Sequence, residues 1–400
     1  MRKIFFAILV YLYCSSLCCF AEDAVYLAIE DTEPFLEDVK SNFNDSVSVT
    51  EGENFIPELY AQNDVSPEPL AAEIEYDIMY DTKSIFADNK TFKFEHGPLE
   101  TFEPFFAYQG QLSANFLGNN YSTKYVEPTA EIGFIGKFRE QPIEYKFLVN
   151  FLPTKGYSYL QSMFKDDFIT LKYIPHNDIT IGSFRTPIGV EGGVSGYTLP
   201  FIARSQISRH FGSIRGVGFK VNGDYSLIEY NLGVTSSGRQ WKNMFQGAEF
   251  NGWVNVKPLG KTDGKYGQLK IGGGINAGHR EHDYSVVGAY LSYKYKKFAF
   301  DAEYAVSHGS NGLAGLTRNN AQGFYTTLSY NITKKLQVLA RYDIFNHDMA
   351  VSGLKDIEYT AGINYYIKGS ALKFMLNYVF CQSTYKQNSN RIILGTQIIL

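Results

Sequence analysis

The chain has few of the residues that build disulfide-linked domains or membrane helices. Only 4 of its 400 residues are cysteine, and the first 19 positions hold three of them, which leaves Cys381 alone. A single cysteine excludes an intramolecular disulfide framework. After residue 21 no apolar run approaches the roughly 18 residues that a transmembrane helix requires. The stability of the fold must therefore come from neither disulfides nor bundled membrane helices.

Residues 1–21 have the pattern of a secretory signal peptide. Arg2 and Lys3 give a basic start, and residues 4–12 form an apolar run that is too short to span a bilayer. The tripeptide Cys19-Phe20-Ala21 fits the small-residue cleavage motif. We therefore expect cleavage after Ala21 and export of the mature chain.

Residues 22–90 differ from the rest of the chain in charge. They carry 18 acidic against 3 basic residues, whereas residues 91–400 carry 23 against 32. High net charge with modest hydrophobicity favours a flexible chain, so we expect an acidic, flexible periplasmic segment. Partner binding and calcium binding are alternatives for this segment, although it contains no D-x-D-x-D-G calcium loop.

From about residue 100 to the end, apolar and polar residues alternate with a period of two. In Phe298–Val306 every second residue is apolar or aromatic, with Asp301 and Glu303 between them, and Leu372–Phe380 repeats the pattern. Successive side chains of a strand point to opposite faces, and a sheet in lipid must close on itself because an open edge cannot be tolerated. The pattern predicts an all-β fold, a transmembrane antiparallel β-barrel, over residues 91–400.

Turn sequences separate the alternating segments. Short turns at 296–297, 331–334 and 368–370 alternate with longer connections at 307–320 and 344–355. Short turns at one end and long loops at the other are typical of outer-membrane barrels. About 300 residues, at roughly 19 for each strand with its connection, predict ~16 strands.

If the aromatic positions face lipid, their neighbours face the lumen. Charge on the lipid face would cost about 2–4 kcal/mol at the midplane, so this sorting is expected in any barrel. The basic residues that the alternation assigns to the lumen are Lys137, Arg139, Lys146, Lys172, Lys220, Lys270, Lys294, Arg341 and Lys373. Their acidic companions are Glu131, Glu144, Glu229, Asp301, Glu303, Asp343 and Glu358. The excess of basic positions predicts a lumen that attracts anions; the alternative is that these charges only pair across strands.

Residues 187–213 form an unusually long connection between two strands. It contains Arg204 and Arg209, and Arg185 and Arg215 flank it. A connection of this length in a compact barrel is usually functional or folds inward. Folded into the lumen, it would narrow the pore and present guanidinium groups, which bind phosphate and carboxylate oxygens through two parallel hydrogen bonds. An extracellular loop with solvated arginines is the alternative.

Three segments around this connection carry a family resemblance. They are Ile181–Glu191 with the sequence IGSFRTPIGVE, Leu199–Ser205 with LPFIARS, and Ser213–Phe219 with SIRGVGF. Together they resemble the phosphate-selective porin O and P family, and the similarity extends over about residues 100–400. The resemblance implies a trimeric porin of about sixteen strands, whose basic residues conduct anions along the lumen. The basic residues that it matches are Arg185, Arg204 and Arg215.

No catalytic signature accompanies these patterns. The chain has no G-x-S-x-G elbow, His279 and His282 lack the spacing of a shared metal site, and Gly272–Gly274 lacks the lysine of a phosphate loop. The sequence predicts an outer-membrane porin rather than an enzyme, without cofactor or metal. Its expected partners are small anionic solutes, outer-membrane lipid and further copies of itself as a homotrimer, and nucleic acid is not among them. A structural or adhesive surface barrel without an open channel is the alternative.

Overall fold

Antiparallel β-strands make up most of the part of the chain that the computed structural model describes. The described residues are 91–152, 163–212, 215–237, 247–309 and 319–400. The predicted signal peptide and acidic segment lie outside them. Within these ranges, no helix is both long and apolar enough to cross a bilayer.

Seventeen strands and two short helical turns follow one another along the described chain. The helical turns are a 3-10 helix (Gly196–Thr198) and α1 (Gln206–His210). The strands are β1 (Phe92–Lys93), β2 (Leu99–Leu117), β3 (Asn120–Phe138), β4 (Ile143–Asn150), β5 (Phe164–Ile174), β6 (Asn177–Arg185), β7 (Arg215–Asp224), β8 (Ile228–Ser236), β9 (Ala248–Val256), β10 (Gln268–Arg280), β11 (His282–Tyr295), β12 (Phe298–His308), β13 (Ala321–Asn331), β14 (Leu336–Asn346), β15 (Lys355–Lys368), β16 (Leu372–Ser383) and β17 (Ser389–Ile399).

The sixteen strands from β2 to β17 form a closed ring. Each pairs antiparallel with the next one along the chain, and β17 pairs back onto β2. Leu400 extends this seam, because its backbone N–H and C=O both bond to the backbone of Phe106. The two-residue β1 pairs with β2 at Thr101 and Phe102, beyond the point where β17 ends. The predicted antiparallel barrel of about sixteen strands is confirmed.

The period-two pattern sorts the side chains into an outer and an inner face. On β15, Tyr359 and Ile363 are 44% and 46% exposed, whereas their neighbours Thr360 and Asn364 are 4% and 0% exposed. The exposed set is apolar and aromatic, and the buried set is polar, the reverse of a soluble protein's arrangement. The outer face is therefore suited to lipid, and the polar residues lie inside the barrel.

The two ends of the barrel differ in the length of their connections. Most connections are short at the end where β2 begins and β17 finishes, although residues 257–267 form a longer one there. The longer connections, including the one between β6 and β7, lie at the other end, together with two tight reversals at Gly118 and Glu281. Both of these residues have positive φ (57° and 66°), the backbone conformation that tight hairpins require. The predicted division thus holds for most connections, with three exceptions.

A charge placed on the outer face should destabilise the barrel. Ile363 lies near the middle of β15 and pairs with Val338 and Leu376. Ile363→Arg should cost about 2–4 kcal/mol of unfolding free energy, because lipid desolvates the guanidinium group. Ile363→Leu, the matched control, should cost less than about 1.5 kcal/mol. Urea unfolding of the protein in lipid vesicles measures both values, and equal stability of the two variants would contradict lipid exposure of this face.

Candidate functional site in the barrel lumen

Residues 186–212, called the inward segment below, lie inside the barrel. Phe201, Ile207 and Phe211 belong to no strand, yet they are only 1–2% exposed. Backbone polar groups of such a buried segment must find partners, and the inner wall supplies them. The segment's contacts therefore show how it is held in the lumen.

Wall carboxylates and amides accept hydrogen bonds from the segment's backbone. The N–H of Val190 donates to Glu303 Oε2 on β12 (3.0 Å), and the N–H of Gln206 donates to Asp343 Oδ2 on β14 (2.7 Å). The N–H of Ile202 donates to the Asn377 side chain on β16 (2.9 Å). The Gln397 side chain on β17 in turn donates to the carbonyl of Tyr197 (3.0 Å). The segment is thus bonded along the wall from β12 to β17.

An apolar cluster fixes the same segment to the wall. Ile207 and Phe211 pack with Trp253, Tyr325 and Phe345 in one buried group. Gly323 on β13 makes room for this contact, because a Cβ there would lie 2.7 Å from Ile207 Cγ1. A second buried group joins Tyr197 to Ala107 on β2 and Ile399 on β17. The inward segment therefore occupies the side of the lumen that runs from β9 through β17 to β2.

Two of the predicted anion-pathway residues, Arg341 and Lys373, are buried beneath the inward segment. Arg341 is 3% exposed and donates to Glu191 Oε1 (3.3 Å) and to the carbonyl of Ala203 (3.0 Å). Lys373 is 1% exposed and donates to the carbonyl of Leu199 (2.9 Å). Both side chains fasten the segment to the wall rather than line an aqueous surface.

The two arginines of the inward segment have different partners. The Arg204 guanidinium donates to the carbonyls of Glu191 and Val194, the latter at 2.8 Å. Arg209 pairs with Glu358 on β15 (2.6 Å), and Arg391 shares that carboxylate. Glu358 therefore offsets the charge of Arg209, and the Glu191 carboxylate, which interacts electrostatically with Arg204, partly offsets the charge of that guanidinium.

Burial shifts the pKa of two side chains in the inward segment. It lowers the pKa of Arg204 to about 10, so this guanidinium stays charged at neutral pH. Burial also lowers the pKa of His210 to about 4, and His347 and Arg209 add to that effect. His210, stacked on Phe345 with ring centroids 4.2 Å apart, is therefore neutral at pH 7. The arginines supply the segment's positive charge.

Six cations gather on one side of the lumen, and we call them the cationic cluster. Five lie on β4 to β7 and Arg204 belongs to the inward segment; they are Lys146, Lys165, Arg185, Arg204, Arg215 and Lys220. Four carboxylates interact electrostatically with members of this group, and they are Glu131, Asp166, Asp167 and Glu191. The cluster therefore carries a net positive charge on one side of the lumen.

Lys165 belongs to the cluster although the two-residue alternation did not assign it to the lumen. Phe147 pairs with Asp167 and Val149 with Phe164, so Lys165 and Asp166 together face the single residue Leu148. This is a β-bulge, in which two residues on one strand oppose one on its partner. Regular alternation fails at a bulge, and no signal in this sequence marks where one occurs.

Arg185 and Arg215 stand directly opposite each other in the register of β6 and β7. Arg185 lies four residues after Ile181, and Arg215 lies four residues before Phe219. Ile181 and Phe219 are 45% and 51% exposed on the outer face, so the alternation assigns both arginines to that face. Arg215 nevertheless reaches Asp166, with Nε 2.7 Å from Oδ1, and Arg185 interacts electrostatically with Arg204 of the inward segment. Long side chains at strand ends can thus reach groups in the lumen from positions that the alternation assigns to the outer face.

The other predicted basic residues lie apart from the cluster. Lys172 pairs with Glu144 and Lys270 with Glu229, each at 2.9 Å. The remaining placements are Lys137 opposite Glu144 in register, Arg139 on the backbone carbonyls of Gly97 and Leu99, and Lys294 opposite Gln268 in register. Lys220, which lies over the Phe184 ring, instead interacts electrostatically with Lys146 and Asp166 of the cluster. The structure thus brings Lys146, Arg185, Arg204, Arg215 and Lys220 together and distributes the other candidates around the barrel.

Removing one carboxylate should loosen the inward segment. Glu191 accepts from the N–H of Ser205 (2.5 Å) and from Arg341 (3.3 Å). Glu191→Gln leaves one of these donors without a partner, at a cost of about 1–3 kcal/mol. Amide hydrogen exchange in residues 186–212 should accelerate about tenfold or more, whereas Glu144→Gln should leave it unchanged. Unchanged exchange in Glu191→Gln would show that other contacts suffice to hold the segment.

Comparison with known proteins supports the architecture. The family model of phosphate-selective porin O and P matches residues 263–399, whereas no curated protein matches the chain. The outer membrane channel DcaP of Acinetobacter baumannii has a similar structure (TM-score 0.56, 11% identity, 77% of this chain and 99% of that one). The anion-selective porin from Comamonas acidovorans does too (0.54, 9%, 75% and 99%).

The trimer form of Vibrio cholerae OmpT, an outer membrane protein, is a third similar structure (TM-score 0.52, 10% identity, 75% of this chain and 99% of that one). At such identities the likeness establishes the fold. The family match lies in β10 to β17 and the loop before them. The family resemblance is therefore confirmed for residues 263–399, which match the phosphate-selective porin O and P family within a barrel that has the porin fold.

Proposed function

We propose that the protein is a passive porin of a Gram-negative outer membrane that prefers small anions. The observation that carries this proposal is the cationic cluster, in which six basic residues outnumber four carboxylates on one side of the lumen. An excess of one sign of charge in the lumen raises the local concentration of ions of the opposite sign. The inward segment covers the wall from β12 through β17 to β2, so solutes would pass on the side of β4 to β7.

Guanidinium groups favour oxyanions over chloride in such a path. Arg185, Arg204 and Arg215 present planar donors that can bond two oxygens of phosphate or carboxylate at once. The matched family is named for phosphate selectivity, and the similar Comamonas porin is described as anion-selective. We therefore propose phosphate-like anions as the preferred solutes.

A structural or adhesive barrel without an open channel is the second candidate function. The observation in its favour is the extensive packing of the inward segment, which fills part of the lumen with apolar and hydrogen-bonded contacts. Conductance separates the two candidates, because only a porin passes ions.

Ion selectivity in a planar bilayer tests the proposal. Across a KCl gradient the mature chain should give a reversal potential of the anion-selective sign, and added phosphate should reduce the chloride current. Anion preference without phosphate block would indicate a general anion porin. A correctly folded barrel without conductance would favour the structural or adhesive function.

Neutralising the cluster should reduce anion preference. Arg185→Gln with Arg215→Gln removes two charges from the proposed path, and the chloride-to-potassium permeability ratio should fall by about threefold or more, the effect of a unit charge some 7 Å away in water. Lys172→Gln with Lys270→Gln removes the same charge from paired sites outside the cluster. An equal fall in both double variants would mean that overall charge, not the cluster, sets selectivity.

We also propose that the protein forms a homotrimer in the membrane. The resemblance to Vibrio cholerae OmpT, a protein that occurs in a trimer form, supports this assembly. Analytical ultracentrifugation of the detergent-solubilised protein should give three times the mass of the mature chain. A monomeric mass in mild detergent would contradict the proposal.

A further inference from the structure

Asp166 holds a central position among the cations of the proposed anion path. We infer that Asp166 is a specificity-determining counter-ion, which partly neutralises the cationic cluster and so limits how strongly the channel retains multivalent anions. This inference deepens the proposed function and rests on it. The two-residue alternation of the sequence did not assign Asp166 to the lumen.

The bulge in β5 places Asp166 where it can act on the lumen. Lys165 and Asp166 together oppose Leu148, whose side chain is only 2% exposed and belongs to the inner face. Two residues that share one opposing position at a bulge break the alternation. The carboxylate interacts electrostatically with the ammonium group of Lys165.

Asp166 bridges two strands of the cluster. Its Oδ1 accepts from Arg215 Nε on β7 at 2.7 Å, and its Oδ2 contacts Lys146 Nζ on β4 at 3.1 Å. It also interacts electrostatically with Arg185 on β6. One carboxylate thus offsets charge on several cluster members at the same time, and the side chains of Asp166 and Arg215 are only 14% and 15% exposed.

The cluster differs from the ordinary ion pairs of the barrel in its charge balance. Lys172 with Glu144 is such an ordinary pair, at 2.9 Å. In the cluster, six cations outnumber four carboxylates, and Asp166 interacts electrostatically with five of these cations. Removing Asp166 would therefore raise the net positive charge of the cluster and release two donors, on Arg215 and Lys146, toward the solute.

A counter-ion of this kind suits a channel. Conduction requires binding that is favourable enough for an ion to enter and weak enough for it to leave. Guanidinium groups without a counter-ion would hold a multivalent anion through several charge-assisted hydrogen bonds. Asp166 competes for these donors, so anions are attracted to the cluster but are released quickly.

Asp166→Asn tests the inference, because asparagine keeps the size of the side chain and removes its charge. The full mature protein is reconstituted in planar bilayers, and two quantities are measured. They are the chloride-to-potassium permeability ratio and the citrate concentration that halves the KCl current. The ratio should rise by about threefold or more, because one charge some 7 Å from a univalent ion in water changes the local concentration of that ion about threefold. The half-blocking citrate concentration should fall at least as much, because citrate carries several charges.

Glu229→Gln is the matched control, since Glu229 pairs with Lys270 and Lys257 outside the cluster. It should leave both quantities at the wild-type values. A second comparison uses Arg215→Gln alone and combined with Asp166→Asn. The combined variant should be more anion-selective than Arg215→Gln alone, because it lacks the opposing carboxylate. This comparison keeps the inference testable if Asp166→Asn alone does not fold, and retention of the folded form on unheated gels monitors folding.

The outcomes separate the inference from the proposed function. An anion-selective wild-type channel with an unchanged Asp166→Asn variant would overturn the inference alone. Lower anion preference in Asp166→Asn would also overturn it, because that result assigns Asp166 the structural task of positioning Arg215. A wild-type channel without anion preference would overturn both the proposed function and the inference.

Discussion

The hydrogen bonding of the backbone in lipid is the constraint on which the rest of this structure depends. Lipid offers no partner for an unpaired N–H or C=O group, so a sheet that crosses the membrane must close. Pairing of β17 with β2 meets that requirement. In the closed barrel, alternate side chains of each strand lie on the outer and the inner face, and the outer face must be apolar because it contacts lipid. Chemistry specific to this chain is consequently confined to the lumen and the loops.

The same constraint shapes the lumen, because the inward segment must satisfy its own backbone there. Wall side chains do so by accepting from Val190, Ile202 and Gln206. Arg341 and Lys373 complete the attachment by donating to the segment's carbonyls. A buried cation that is hydrogen-bonded in this way is stable where an unpaired one would not be. Much of the basic character of the β12 to β16 wall is therefore used for attachment.

Local alternation was sufficient to predict the barrel and most of its faces, since a period of two needs only neighbouring residues. The alternation assigns both Lys146 and Arg341 to the lumen and could not predict that only Arg341 is covered by the inward segment. That covering depends on residues distant in sequence, such as Glu191 and Ala203. The alternation also missed Lys165, which a bulge turns inward. The family resemblance indicated Arg185, Arg204 and Arg215, which the structure places together. Alternation alone would have assigned Arg185 and Arg215 to the outer face.

Placement of the inward segment and the charge of the proposed ion path are separable in this fold. The contacts that hold the segment lie on β12 through β17 to β2, whereas the cationic cluster lies mainly on β4 to β7. Arg204 links the two, since it belongs to the segment and interacts electrostatically with Arg185. A change on one side should therefore reach the other chiefly through Arg204. In the proposed function, single charges such as Asp166 would then adjust selectivity without moving the segment, because sites that share no partner contribute nearly independently.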